Sequence, residues 1–414
     1  GNWGYFKVPG SWPGITDYMQ KDCQTVYAHP DWKDRKLGDI TAAWYEREIT
    51  IPADWTGRRI AVRIEYLNSY AAVHVDGARV GEIRFPGGEV DLASVCRPGG
   101  AHRLSLLVVA MPLKGVMLSY SDSASAREVQ GSVARRGLCG DVYLASAPAG
   151  PRIADVKVDT SVRKQQFTLN VALDGLSGDT RHTLFARIRE GGRSIREFTT
   201  RPFQAGDLGN GRIAFTEAWM PDNLWDIHTP QHTYDLDVSL QDAEGNVLDT
   251  GSTVRFGFRE LWIEGRDFFL NGTRLFLSAV PLDNAQVGAA WATYEAARES
   301  LERLRSFGIN FVYTHNYGCE PGSHLSFAEV LRAADDVGML VSFSQPHFSH
   351  YNWQDPDADL DNGYARHAEF YVRAAQNHPS VVMYSMSHNA TGYSEDMNPD
   401  MIDGVRDARD TWAA

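Results

Sequence analysis

The chain has 414 residues, of which 43% are hydrophobic and 22% charged, the balance of an ordinary soluble globular protein. This length exceeds what one hydrophobic core usually supports, so we expect two or three domains. The formal net charge of -13 at pH 7 argues against nucleic acid and anionic membranes as partners, because both bind basic surfaces. The sequence has no run of about eighteen apolar residues and therefore no candidate membrane span.

The four cysteines are far apart and lack the Cys-x-x-Cys spacing of a zinc ribbon or a redox motif. They are Cys23, Cys96, Cys139 and Cys319. We expect isolated buried thiols. The sequence also lacks a Walker loop, a Gly-x-Gly-x-x-Gly motif after a strand and a Gly-x-Ser-x-Gly elbow, so we expect no cofactor. No signal peptide is visible, and the compartment stays open.

Residues 1–148 are predicted to be all-β. Ile60, Val62 and Ile64 alternate with other side chains, which is the period of a strand with one buried face. The dipeptide Asp76-Gly77 lies between two short strand patterns and indicates a type I′ hairpin, because both turn residues must accept positive φ. Many short strands separated by Gly and Pro favour a jelly roll or a sandwich.

Residues 149–258 show longer alternating strands, such as those at Phe167–Leu173 and Tyr234–Leu240. About a hundred residues of this pattern suit an immunoglobulin-like β-sandwich. Three tryptophans of the first two domains are interpreted as core or interdomain packing: Trp44, Trp55 and Trp225.

Residues 259–414 change to strands that alternate with helices, which indicates a parallel sheet. The apolar stripes of two predicted helices end at Gly308 and Gly338, and a third helix is predicted around His367–Gln376. The four predicted strands are Leu275–Val280, Asn310–Thr314, Met339–Phe343 and Val381–Met386.

Four such units make half of an eight-stranded barrel, and the edges of that half would be unpaired. We therefore expect a multidomain β plus α/β chain that ends in the N-terminal half of a (β/α)8 TIM barrel. Either the chain is a fragment, which we favour, or a second half is supplied from elsewhere.

One segment resembles a known family closely. Asn377-His-Pro-Ser, followed by an apolar run that ends in His388-Asn389, resembles the fourth barrel strand of glycoside hydrolase family 2. In that family the apolar run normally ends in Asn-Glu. Further stretches are similar, in order and spacing, to the family's N-terminal sugar-binding domain and to its junction with the barrel. These are Val8–Trp12, Trp44–Ile49, Val73–Gly77, Gly137–Leu144, Arg255–Arg259 and Phe269–Leu275.

The resemblance implies a beta-galactosidase- or beta-glucuronidase-like hydrolase that removes a terminal, β-linked sugar from an oligosaccharide or polysaccharide. Retaining enzymes of this kind use two carboxyl groups about 5 Å apart. In the family the acid/base ends strand four and the nucleophile ends strand seven, which this sequence does not contain. Asn389 occupies the acid/base position, and a one-residue bulge would place Ala390 there instead. Neither side chain can donate the proton.

Other strand ends depart from the family as well. The Arg-x-x-His of strand two is represented by Tyr313-Thr-His315, and a glutamate of strand three by Ser344-Gln345. Because the changes concentrate on one face, they favour a different sugar chemistry over simple decay.

Glu395 lies in the loop after strand four and is a candidate general acid, provided that burial raises its pKa. The alternative is that it caps the helix near Pro399, the role assigned to Asp396. We expect His388 and Asn389 to hold the substrate near the scissile bond. The same pocket is predicted to be lined by Asp283, His315, Asn316, Gln345 and His347.

Two alternatives stay open. The first is a non-catalytic carbohydrate-binding protein with a degenerate barrel. The second is a metal-assisted carbohydrate enzyme, because His315, His347, His350 and His388 all follow predicted strands. Their spacing matches no ligand motif, so we expect no metal. His378 precedes its strand and is assigned to structure. The family's members often oligomerise, but nothing in the sequence specifies an interface.

Overall fold

The structure of the chain is a computed structural model. It describes residues 3–6, 8, 25–27, 29–32, 40–111, 136–283, 294–315, 327–344 and 363–385. Within them the chain forms three groups of strands, and separate hydrophobic cores lie in each group. The chain is therefore a multidomain, mostly β protein.

The first group consists of the antiparallel strands β1 (Tyr5–Phe6), β2 (Thr25–Tyr27), β3 (Ala42–Thr50), β4 (Arg58–Ile64), β5 (Leu67–Asn68), β6 (Tyr70–Val75), β7 (Ala78–Arg84), β8 (Gly88–Asp91), β9 (Ala101–Val109), β10 (Gly137–Leu138) and β11 (Val142–Pro148). Two sheets with the strand orders β3-β9-β6-β7 and β11-β4-β8 enclose one core. Ile60, Val62 and Ile64 are buried in this core, which confirms the predicted alternation. Burial of such a side chain contributes about 1.5–3 kcal/mol to stability. Cys96 and Cys139 are buried and form no disulfide, as expected.

The turn between β6 and β7 is formed by Asp76-Gly77, whose φ angles are +51° and +86°. Two successive positive φ angles define the predicted type I′ hairpin. The Asp76 carboxylate accepts a hydrogen bond from His102 Nδ1 at 2.7 Å and another from the Arg103 backbone N–H at 2.8 Å. These two bonds tie the hairpin turn to β9.

The interpretation of Trp44 as a core side chain is wrong. Tyr45 and Ile49 of β3 pack against the core, whereas the Trp44 side chain is 48% exposed. Successive side chains of a strand point to opposite faces of its sheet, so the inward position of Tyr45 turns Trp44 outward. Trp55 is packed against the core, as predicted.

The second group consists of β12 (Arg152–Ser161), β13 (Gln166–Asp174), β14 (Thr183–Glu190), β15 (Arg193–Thr199), β16 (Arg212–Ala218), β17 (Tyr234–Gln241), β18 (Val247–Thr250) and β19 (Val254–Phe256). One sheet has the order β12-β13-β16. The other has the order β15-β14-β17-β18, with β19 beside β17. Phe167, Leu169, Val171 and Leu173 are buried between the sheets, which confirms the predicted period.

The third group consists of β20 (Leu261–Glu264), β21 (Asp267–Leu270), β22 (Thr273–Leu275), β23 (Ala279–Asp283), α1 (Tyr294–Ser306), β24 (Phe311–His315), α2 (Phe327–Val337), β25 (Leu340–Ser344), α3 (Gly363–Ala375) and β26 (Val381–Ser385). Strands β20 to β22 form a small antiparallel sheet, and β23 to β26 form a parallel sheet in chain order. The three helices pack against one face of the parallel sheet, around Val312 and Val341. No helix in the described part of the chain has the length and apolar character needed to cross a membrane.

The first parallel strand begins later than predicted. Leu275 ends β22, where it pairs with Phe268, and the parallel strand starts at Ala279. The sequence shows a single apolar run at this point, so it does not reveal where one strand ends and the next begins. The predicted helix stops are confirmed at Gly308 and Gly338, both of which have positive φ.

Trp225 joins the second and third groups. Its side chain is fully buried and packs with Leu270, Phe311 and Leu340 at the amino ends of the parallel strands. The indole Nε1 donates a hydrogen bond to the Asp335 carbonyl at 3.1 Å. This arrangement confirms the predicted interdomain role of Trp225.

Candidate functional site

The carboxyl ends of the four parallel strands meet at one edge of their sheet. Asp283 is the last residue of β23 and is paired in register with His315, the last residue of β24. Ser344 and Ser385 end β25 and β26 and are likewise paired. Ligand and active sites of parallel α/β sheets form at this edge, because the loops that follow the strands converge there.

The structure therefore brings Asp283 and His315 together at adjacent positions of the predicted pocket edge. The other predicted site residues lie outside the described residues, and their roles stay predictions. They are Asn316, Gln345, His347, His388, Asn389 and Glu395. Asn316 and Gln345 directly follow β24 and β25 in the sequence.

At the opposite end of β26, the Asp335 carboxylate organises the start of the strand. Asp335 is 3% exposed, and its Oδ2 lies 2.6 Å from Nδ1 of His378. Its Oδ1 accepts hydrogen bonds from the Ser380 hydroxyl at 2.6 Å and from the Ser380 backbone N–H at 3.0 Å. A buried carboxylate requires such donors, because an unpaired charge in the interior is strongly disfavoured. The structural role predicted for His378 is confirmed.

Arg259 holds the same strand from the side of the second group. Its Nε donates to the Pro379 carbonyl at 2.9 Å, and its Nη2 donates to the Val381 carbonyl. Burial lowers the pKa of Arg259, yet a guanidinium stays protonated at neutral pH. With Asp335, this residue fixes the amino end of β26 and so restricts where its carboxyl end can lie.

Sequence reasoning missed both Asp335 and Arg259 as organisers of this strand. Asp335 follows Leu331 by one helical turn, so a carboxylate falls on the buried stripe of α2. That conflict between a charged residue and an apolar face is a sequence feature that could have identified it.

Among the described residues, no group of three or more His, Cys, Asp or Glu side chains is placed to hold a metal ion. His347, His350 and His388 lie outside those residues.

Comparison with known proteins places this geometry in context. No protein-family model matches the chain. The chain is 25% identical to a beta-glucuronidase of Felis catus over 390 residues, which cover 87% of the chain and 56% of that protein. It is 26% identical to a beta-galactosidase of Aeromonas hydrophila, over 94% of the chain and 38% of that protein. The chain thus spans little more than half the length of the beta-glucuronidase.

The same relationship is seen in solved structures. A glycosyl hydrolase family 2 member from Bacteroides cellulosilyticus superposes with a TM-score of 0.65 at 20% identity, over 97% of this chain and 55% of that one. At that identity the likeness concerns the fold. The chain is therefore related in sequence to beta-glucuronidases and beta-galactosidases and has the fold of a glycosyl hydrolase family 2 member, which confirms the resemblance drawn from its sequence.

Proposed function

We propose that this protein is a glycoside hydrolase that releases a terminal, β-linked sugar from an oligosaccharide or polysaccharide. The sequence relatives are named beta-glucuronidase and beta-galactosidase, and both names denote hydrolysis of a β-glycoside. The observation that carries the proposal is the pairing of Asp283 and His315 at the carboxyl edge of the parallel sheet. Asp and His are residue types that exchange hydrogen bonds with hydroxyl groups, so neighbouring positions of these residues on the sheet suit a sugar ligand.

We also propose an architecture of three domains. Residues 1–148 form a jelly-roll sugar-binding-like domain, residues 149–258 an immunoglobulin-like β-sandwich, and residues 259–414 the first half of a TIM barrel. Two facing antiparallel sheets in each of the first two groups support the first two assignments. The parallel sheet β23-β24-β25-β26, with one helix between each pair of successive strands, supports the third.

The assignment of roles follows from the chemistry that each side chain can perform. Glycoside hydrolysis requires protonation of the departing oxygen, and Asn389 has no proton to donate for that purpose. Glu395 is proposed as the general acid, because it is a carboxyl group in the segment after β26. His388 and Asn389 are proposed to hold the substrate. The remaining lining is proposed to be Asp283, His315, Asn316, Gln345 and His347.

Release of 4-nitrophenol from a panel of aryl β-glycosides, including the β-glucuronide and the β-galactoside, tests the activity. Glu395→Gln should abolish hydrolysis of unactivated β-linked oligosaccharides, because an amide cannot protonate the departing sugar oxygen. Aryl glycosides should be affected less, because 4-nitrophenolate departs without protonation. Asp396→Asn is the matched control, since it alters the neighbouring carboxylate that we assign to helix capping. Turnover of the oligosaccharides that persists in Glu395→Gln would show that another group is the acid.

The absence of a carboxylic acid at Asn389 favours a second candidate, a carbohydrate-binding protein without turnover. Isothermal titration with free glucuronic acid, free galactose and intact oligosaccharides separates the two functions. Saturable binding combined with no release from any glycoside would support the second candidate. Activity that is lost on chelation and restored by a metal would instead support a metal-assisted reaction.

A further inference from the structure

The outer face of the sheet β3-β9-β6-β7 carries a half-exposed tryptophan that the core does not use. Trp44 is 48% exposed, and its ring centroid lies 5.1 Å from that of His74 in an edge-on arrangement. Trp44 is paired in register with Leu107, which is paired in turn with Ala72. The indole thus lies in the same cross-strand row as the apolar side chains of Leu107 and Ala72, with the ring of His74 packed against its own.

Two carboxylates continue the line of Trp44 along β3. Glu46 and Glu48 are two and four residues further on and point to the same face of the sheet, because side chains alternate along a strand. At about 3.4 Å per residue, the line from Trp44 to Glu48 spans roughly 14 Å. Glu46 is oriented by a hydrogen bond from the Ser105 hydroxyl at 3.1 Å.

An open cavity of about 510 Å³ lies along the part of this line that contains Glu46 and Glu48. Its volume lies within the range of small-molecule sites. The residues that line it are mostly polar: Glu46, Glu48, Asp76, Gly77, Ala101, His102, Arg103 and Ser105. An aromatic surface therefore leads directly into a polar cavity.

A hydrogen-bonded network around Glu82 lies at the far end of the cross-strand row of Trp44. Glu82 lies in the same cross-strand row, beyond Ala72, and accepts a hydrogen bond from the Tyr70 hydroxyl at 2.8 Å. The guanidinium groups of Arg79 and Arg84 bind its two oxygens. The bond from Tyr70, followed by that from Arg84, holds the pKa of Glu82 below its usual range. The cross-strand row of Trp44 therefore ends in charged side chains and does not extend into a larger apolar patch.

We propose that this face binds a neutral oligosaccharide, with one pyranose ring on Trp44 and the next sugar units along Glu46 and Glu48 in the polar cavity. The C–H groups of a pyranose form an apolar face that matches an exposed indole, and its hydroxyls are donors that carboxylates accept. None of these residues belongs to the carboxyl edge of the parallel sheet, and the proposal does not depend on the proposed hydrolase activity.

The charge of the cavity lining favours some of the ligands that this face could bind over others. Glu46, Glu48 and Asp76 outnumber the single guanidinium of Arg103 in the cavity, so uronic acids and phosphates are disfavoured. A metal ion is not supported, since the described residues contain no group placed to bind one. A protein partner would call for a broader apolar centre depleted of charged residues.

Affinity electrophoresis of the 414-residue protein in native gels tests the proposal. The gels contain β-glucan, xylan or galactan as neutral polysaccharides, or polygalacturonate as the anionic one. We expect at least one neutral polysaccharide to retard the protein and polygalacturonate to leave it unretarded. Trp44→Ala should weaken the binding about tenfold or more, because it removes the stacking surface.

Tyr143→Ala is the matched control, because Tyr143 is 47% exposed on β11 in the other sheet of the same core. Glu48→Gln is the second test variant and should also weaken binding, with little risk to folding at an exposed position. Thermal unfolding establishes that each variant is folded.

Three results would overturn the proposal. They are retardation by none of the neutral polysaccharides, equal retardation of Trp44→Ala and Tyr143→Ala, and retardation by polygalacturonate as strong as that by the neutral polysaccharides. Size-exclusion chromatography adds a further check. If Trp44→Ala converts a dimer to a monomer and sugar binding is absent, the face is an interface between copies of the chain.

Discussion

The side-chain amide of Asn377 forms two hydrogen bonds with the backbone of strand β12, as the backbone of a neighbouring strand would. Its Oδ1 accepts the Val158 N–H at 2.9 Å, and its Nδ2 donates to the Val156 carbonyl at 2.8 Å. Strand β12 is the edge of its sheet, so these backbone groups have no strand partner on that side. One side chain therefore joins the second group of strands to the start of β26.

Asn377→Ala should lower the free energy of unfolding by about 1–3 kcal/mol, because it leaves a part-buried N–H and a part-buried carbonyl without partners. Asn377→Asp should lower it as well, since a carboxylate cannot donate to the Val156 carbonyl. Urea unfolding measures both. Gln231→Ala, at an exposed position of the same group, is the control and should change little. Equal stability of Asn377→Ala and the control would mean that this pairing contributes nothing.

Removal of the Asp335 carboxylate should have a larger effect. Asp335→Ala leaves His378 and Ser380 without the acceptor that they share, and loss of one partner from a buried ionic network typically costs about 3–5 kcal/mol. Asp267→Ala is the control, because Asp267 pairs with Arg274 at the surface and such pairs contribute about 0–1 kcal/mol. Thermal and urea unfolding should rank the two variants in this order. The reverse order would contradict the organising role of Asp335.

Strong local patterns made much of the fold predictable. The apolar stripe of α2 and its Gly338 stop place that helix at Phe327–Val337, because a residue with φ of +76° cannot continue a helix. Gly338 is also the one residue type that fits, since a Cβ atom there would lie 2.5 Å from the Ile227 carbonyl oxygen. Asp76-Gly77 determines its hairpin for a similar local reason.

The incorrect predictions concern residues whose structure is decided by contacts with other strands and helices, which local sequence patterns do not reveal. The strand predicted at Leu275 ignored the pairing of this residue with Phe268, which extends the small antiparallel sheet. The prediction for Trp44 assumed that a large aromatic side chain is buried, whereas the alternation of β3 decides its direction. At the candidate site, the shared edge of Asp283 and His315 followed from strand order alone. Asp335 and Arg259 act through chain segments far apart in sequence.

The third group exposes apolar side chains that could associate with other surfaces. Phe276 is 84% exposed and lies three residues before β23, which is an edge strand in the described sheet. Exposed aromatic side chains beside an unpaired edge favour association. Phe276→Ser should therefore reduce light scattering by the 414-residue chain at high protein concentration. Ile195→Ser, at a 38% exposed position of the second group, is the control. Equal scattering by both variants would exclude this surface.

Glu260 lies between the second and third groups of strands, and its contribution to stability should depend on pH. Burial opposes ionisation of Glu260, but hydrogen bonds from the Arg163 side chain and backbone and from the Ser161 hydroxyl outweigh it, so the pKa of Glu260 lies below its usual range. A lowered pKa in the folded state stabilises the fold above the unfolded pKa, and this contribution disappears as the pH falls through the folded value. Glu260→Gln should therefore be less stable than the unaltered chain above about pH 5, by about 1–3 kcal/mol, and the difference should shrink towards pH 3. Urea unfolding across this range measures the difference, with Glu264→Gln as an exposed control from the adjacent hairpin. A difference that stays constant with pH would show that the ionised form of Glu260 is not what stabilises the junction.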